Sequence, residues 1–141
     1  MKKKTKKSNS KEKNIKVAVV SDPLYKRGGA ESHLKSILEA FPNSELFTAY
    51  HKEDFTKEFF PDIEIHHSFM QYLPWRDKLR QFYFLFQPLA YRFFRFKDFD
   101  IVVSLSIGFS KFVKPKNIKH VNICMSPPKF LWQKRSRSLK D

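Results

Sequence analysis

Two short β-branched runs constrain the fold of this chain more than any other feature. Residues 15–20 read IKVAVV and residues 99–105 read FDIVVSL. Each has the length of one strand, and neither alternates apolar with polar residues as a strand with one wet face would. Such strands need cover on both sides, and the sequence after the first supplies some. Over residues 30–41, Leu34, Ile37, Leu38 and Phe41 recur at i, i+3, i+4 and i+7, the stripe of an amphipathic helix, which Pro42 stops. Residues 45–50, 63–67 and 118–124 read as three further strands. Strands alternating with helices or loops predict an α/β fold: a Rossmann-like, mostly parallel sheet with helices on both faces and right-handed crossovers.

Residues 69–94 read as mainly helical. Phe82, Phe86, Leu89, Phe93 and Phe96 fall near one helical face, Arg76, Lys78, Arg80, Arg92 and Arg95 are interspersed, and Pro88 is expected to kink the helix. The spacing most simply builds core against the sheet. The segment nevertheless holds more aromatics than one buried face needs, which suits a monotopic membrane surface or a lipid-borne acceptor. Basic residues interleaved with aromatics also occur in single-strand nucleic-acid grooves, but no RNP-like or OB-like pattern accompanies them here.

Length and charge narrow the function classes. A chain of 141 residues with 41% hydrophobic content and 16 Phe has room for one domain with a real core. Its net charge of +14 is uneven: residues 1–16 carry +7, residues 129–141 carry +4, and the 112 residues between carry +3. A nucleic-acid-binding domain is expected to hold its basic face within the fold, not at the ends. We therefore divide the chain into a disordered basic tail over residues 1–14, a folded domain over 15–132 and a basic end over 133–141. The tail has no aliphatic residue after Met1 to offset the entropy of ordering it.

One cysteine, Cys124, excludes an intrachain disulfide and a Cys-rich zinc site. The first apolar run stops at Asp22 with no small-residue cleavage site after it, and residues 82–86 are far too short to span a bilayer. The expectation is a cytoplasmic protein, with peripheral contact to an anionic membrane as an option.

Three segments carry residues suited to ligand contact. Residues 26–31 read KRGGAE at the junction of the first strand and first helix, where Gly28 and Gly29 let a ligand approach the backbone and a helix start favours an anion. The competing reading is a flexible turn with Glu31 complementing the helix dipole, and the full GxGxxG fingerprint is absent. Residues 104–111 read SLSIGFSK at the carboxyl end of the strongest strand, where open α/β sheets bind ligands. Ser106, Gly108 and Lys111 can meet a polar ligand there, or the hydroxyls can cap the next helix. Residues 124–132 read CMSPPKFLW, an extended loop fixed by two prolines.

Taken together, residues 15–132 resemble the amino-terminal, acceptor-side domain of the family-four GT-B glycosyltransferases, retaining enzymes that use nucleotide sugars. The strand plus GGAE of residues 17–31, the FDIVVSLSIGFSKFV block of residues 99–113 and the HVNICMSPPKFLW block of residues 120–132 stand in that family's order and spacing. The resemblance implies that Gly28 and Gly29 approach the donor diphosphate or the acceptor. It also places Ser106, Gly108, Lys111, Met125 and Ser126 at the substrate. Where the last block usually has a His before its Ser-Pro pair, this sequence has Met125, whose thioether donates neither a proton nor a strong hydrogen bond.

Nothing supports an independent hydrolase: the sequence has no GxSxG, no Walker lysine loop and no HExxH around His33. His66 and His67 are adjacent but lack the carboxylate or Cys spacing of a metal site, so neither a metal nor a cofactor is expected. The reading is the amino-terminal half of a glycosyltransferase, moving a sugar from a nucleotide diphosphate sugar to an acceptor hydroxyl. It lacks the donor-binding domain, is inactive alone, and takes that domain in trans if at all. The alternative is a basic module whose lysine-rich ends bind nucleic acid or an anionic membrane.

Overall fold

The computed structural model describes residues 15–74 and 80–125. The basic tail of residues 1–14, Arg76, Lys78, Ser126, the two prolines after it and the basic end of residues 133–141 lie outside the described residues. Five strands, β1 (Val17–Ser21), β2 (Glu45–Thr48), β3 (Ile65–His67), β4 (Ile101–Ser106) and β5 (Lys119–Cys124), form one sheet in the order β3-β2-β1-β4-β5. All four neighbouring pairs are parallel, as the short unalternating runs predict.

The central strands show why the alternation is missing. Ala18, Val20, Phe47 and Val102 face one side, where they pack with Met70, Ala90, Tyr91 and Phe96. Their chain neighbours Val17, Val19, Leu46 and Val103 face the other, where Leu34 and Leu38 of α1 (Gly29–Ala40) and Phe60 cover them. Both sides are dry, so both must be apolar. α1 and α2 (Glu53–Phe59) connect β1 to β2 and β2 to β3 on the second side. The segment between β3 and β4 then crosses to the first side, and β4 lies against β1. The chain direction across the sheet therefore reverses at β1 and β4.

The segment over residues 69–94, read as mainly helical, is broken. Its described residues form a 3-10 turn over Phe69–Tyr72, α3 (Arg80–Tyr83), a second 3-10 turn over Phe84–Phe86, and α4 (Gln87–Arg92). Pro88 does not kink a helix. It stands in the first turn of α4, where its missing N–H would have had no intrahelical partner. The expected core face is also turned outward: Phe82, Phe86, Leu89 and Phe93 are 68%, 51%, 46% and 65% exposed, and only Phe96 is buried. The break changes the phase of the helical face, so Gln87, Ala90 and Tyr91 are the side chains α4 buries. β5 departs from expectation as well, since all six of its residues are exposed at the edge of the sheet.

Candidate functional site

Parallel strands bring their carboxyl ends, and the loops that follow them, to one edge. The register pairs Ser21 with Leu105 and so sets Asp22, the residue after β1, beside the turn that follows β4. There the Asp22 carboxylate accepts four consecutive backbone N–H groups. Oδ2 takes Ile107 at 2.7 Å and Gly108 at 2.6 Å, and Oδ1 takes Phe109 and Ser110, each at 2.9 Å. A run of N–H groups converging on one point is an anion nest, and here the chain's own carboxylate fills it. Gly108 permits the approach, because a Cβ there would lie 3.3 Å from Asp22 Oδ1.

The rest of the junction is hydrogen-bonded to the same loop. Tyr91, fully buried, donates its hydroxyl to the Ser21 carbonyl at 2.8 Å, and Thr48 donates to the Asp22 carbonyl at 3.2 Å. Burial holds the Tyr91 phenol well above the usual tyrosine value, and the nearby Asp22 charge adds to the rise. Tyr91 is therefore a permanent donor rather than a proton-transfer group.

Above this junction lies a cavity of about 430 Å³. Tyr25, Tyr50 and Phe84 give it aromatic walls, Gln87 a buried amide, and Asp22 and Glu31 its charged groups. A smaller recess between Leu34 of α1 and Leu105 of β4 shares Asp22, Glu31 and Ile107 with it. Among the described residues, no cation lines either one. Lys26 lies over the ring of Tyr25, a wall of the cavity, at 5.8 Å, and Arg27 lies over Phe59 at 5.5 Å.

The residues singled out from sequence fall around this cleft unequally. Gly28 is the residue before α1 and Gly29 its first residue. A Cβ on Gly29 would meet nothing within 4 Å, whereas one on Gly28 would lie 2.8 Å from the Glu31 Oε2. Glu31 thus folds back over the start of its own helix, the dipole-complementing role, and an arriving phosphate would meet a carboxylate there. Gly108 lines the cavity. Ser106 does not: it is buried and donates to Asn122 Oδ1 at 2.9 Å, as Ser104 does, which ties β4 to β5. Lys111 lies in a 3-10 turn with its ammonium 5.9 Å from the Phe112 ring centre. Met125 packs at the margin of the α1-side core, its N–H donating to the Ser106 carbonyl at 3.0 Å.

Sequence reasoning passed over Asp22, which it used only as the end of an apolar run. An acid directly after a buried strand and before a proline was the available signal. It also passed over Tyr50 and Gln87, which reach the cleft only because β2 ends and α4 begins beside the carboxyl end of β1. The histidine pair changes too. Folding brings Glu45 to His66 and to Glu64, two residues before it, with ligand atoms of the three within 4.8 Å of one another, so carboxylates do accompany this histidine. Glu45 and His66 form a 2.7 Å hydrogen bond across β2 and β3, and the His66 ring stacks on Phe47 at 4.6 Å, which accounts for their orientation. Elsewhere on the sheet His120 lies 2.8 Å from Ser104, and partial burial lowers its pKa below the ordinary histidine value.

No protein-family model matches the chain, and no match is found among curated proteins or solved structures.

Proposed function

We propose that this chain is the acceptor-side half of a GT-B glycosyltransferase, which holds the hydroxyl acceptor while a separate Rossmann-like domain holds the nucleotide diphosphate sugar. The observation that carries the reading is the cleft. It lies at the carboxyl edge of a parallel sheet, where the strand order reverses between β1 and β4, the place such sheets bind ligands. Its chemistry favours the acceptor over the donor. Two carboxylates with no cation among the described lining residues disfavour a phosphate-bearing ligand, whereas aromatic walls with a buried amide suit a neutral ring bearing hydroxyls.

Asp22 has a positioning role in this reading. Each of its oxygens already accepts two N–H groups, so it holds the β4 turn in place and is poorly disposed to take a proton from an acceptor. Sugar transfer needs the two substrates held with reacting atoms in near contact, and one wall of the cleft leaves that proximity unmade. The pure chain should therefore show no transfer from a nucleotide sugar. Adding a donor-side domain should produce transfer, and Tyr25→Ala should lower it at least about ten-fold by removing a stacking wall. Gly29→Val, which the open space tolerates, should leave acceptor binding intact if the acceptor sits against the aromatic walls. Robust transfer by the chain alone would refute the half-enzyme reading. Failure to bind any glycoside acceptor would refute the glycosyltransferase reading itself.

A further inference from the structure

The amino-terminal edge of the sheet, opposite the cleft, carries a second concavity. The segments leading into β4 and β5 enclose about 440 Å³ there, and its lining gathers Arg92, Arg95, Lys97, Lys114 and Lys116 with no acidic residue among the described ones. All five cations are exposed, and among the described residues none of them is in an ion pair. Like charges around one hollow repel each other, so the arrangement is stabilised by a ligand that brings negative charge.

The outward-turned aromatic face leads to this hollow. Phe93, 65% exposed, lines it, and Leu89, Phe86, Leu85 and Phe82 precede it at near-helical spacing, all exposed. Phe69 extends the ridge, its ring 6.2 Å from that of Phe93. A row of exposed large apolar side chains in water is unfavourable unless something covers it. A small soluble anion would occupy the hollow and leave the ridge bare. A single-stranded nucleic acid would stack on the rings but gain nothing from Leu85, which is 76% exposed, or from Leu89. An anionic bilayer satisfies both features: apolar side chains enter the interfacial zone while cations meet the lipid phosphates beside them.

We propose that this face docks on an anionic lipid membrane, with residues of the 82–93 ridge inserted and the Arg92–Lys116 hollow on headgroup phosphates. The proposal goes beyond the glycosyltransferase reading and does not rest on it. The test is co-sedimentation of the chain with vesicles of phosphatidylcholine alone or mixed equally with phosphatidylglycerol. Binding is compared for the full chain, a form lacking residues 1–13, and two triple variants whose retained fold is checked by circular dichroism. The form without the tail should still bind the mixed vesicles. Lys97→Gln with Lys114→Gln and Lys116→Gln should weaken that binding on the order of 100-fold, roughly five-fold per cation. Leu85→Ser with Leu89→Ser and Phe93→Ser should abolish the part that survives high salt. Equal binding to the zwitterionic vesicles, unchanged binding by either folded variant, or tighter capture of a single-stranded oligonucleotide through the same side chains would each overturn the proposal.

Discussion

Replacing Asp22 with Ala should uncouple the two loops that floor the cleft. The wild-type carboxylate satisfies four N–H groups at 2.6 to 2.9 Å, and three of the bonds are part-buried while that of Ile107 is exposed. Hydrogen bonds to a charged group are worth about 1.5–3 kcal/mol each when independent. These share one charge, and water can reach the Ile107 N–H, so we assign about 1 kcal/mol to each part-buried bond and nothing to the exposed one. The expected loss is about 3 kcal/mol of unfolding free energy. Asp22→Asn keeps one carbonyl oxygen for two of the donors but turns an NH₂ group toward the other two, so it should lose about 2 kcal/mol. Gly108→Ala should lose less, about 1 kcal/mol, because its new Cβ needs the carboxylate to yield only a few tenths of an ångström. Urea unfolding measures the totals. Amide hydrogen exchange at residues 107–110 separates local loosening from global unfolding, and should accelerate in Asp22→Ala before other sheet amides do. Stability within about 0.5 kcal/mol of wild type, with those four amides still protected, would refute the claim that Asp22 joins the loops.

Tyr91→Phe removes the donor to the Ser21 carbonyl without opening a cavity, and should cost about 1–2 kcal/mol in the same urea assay. His120 has a folded-state pKa below its unfolded value, so the unfolded chain protonates first as pH falls. Stability should therefore decline from about pH 6.5 downward until the folded-state pKa is passed, and His120→Gln should flatten that part of a stability-against-pH curve. Deleting residues 1–13 lowers the formal charge from +14 to +8. It should reduce the salt slope of heparin or oligonucleotide binding while leaving the melting transition nearly unchanged, and an unchanged slope would place the polyanion-binding surface in the fold.

What could be read from the sequence, and what could not, follows the range of the interactions concerned. The unalternating runs at residues 17–20 and 101–103 determined a sheet covered on both faces, because that demand is written into every residue of the run. The stripe of Leu34, Ile37 and Leu38 determined α1 in the same local way. The segment over residues 69–94 escaped such reasoning. Its aromatics fit a helical period on paper, but Tyr91 gains a buried hydrogen bond to Ser21 and Ala90 fits against the sheet, and these long-range contacts set the phase of α4. The periodic aromatics were turned to the surface as a result. β5 likewise has the composition of a strand, yet all six of its residues are exposed and none joins either core. Gly108 was legible as a position of close backbone approach because a glycine leaves a local mark, and it meets the Asp22 carboxylate at the cavity, whereas Gly28 and Gly29 do not line it. The Asp22 nest, the three aromatic walls and the separation of a cleft whose charged lining is acidic among the described residues from a cationic hollow were decided only in three dimensions. Each depends on which chain ends the parallel register brings to the same edge, and no single segment encodes that meeting.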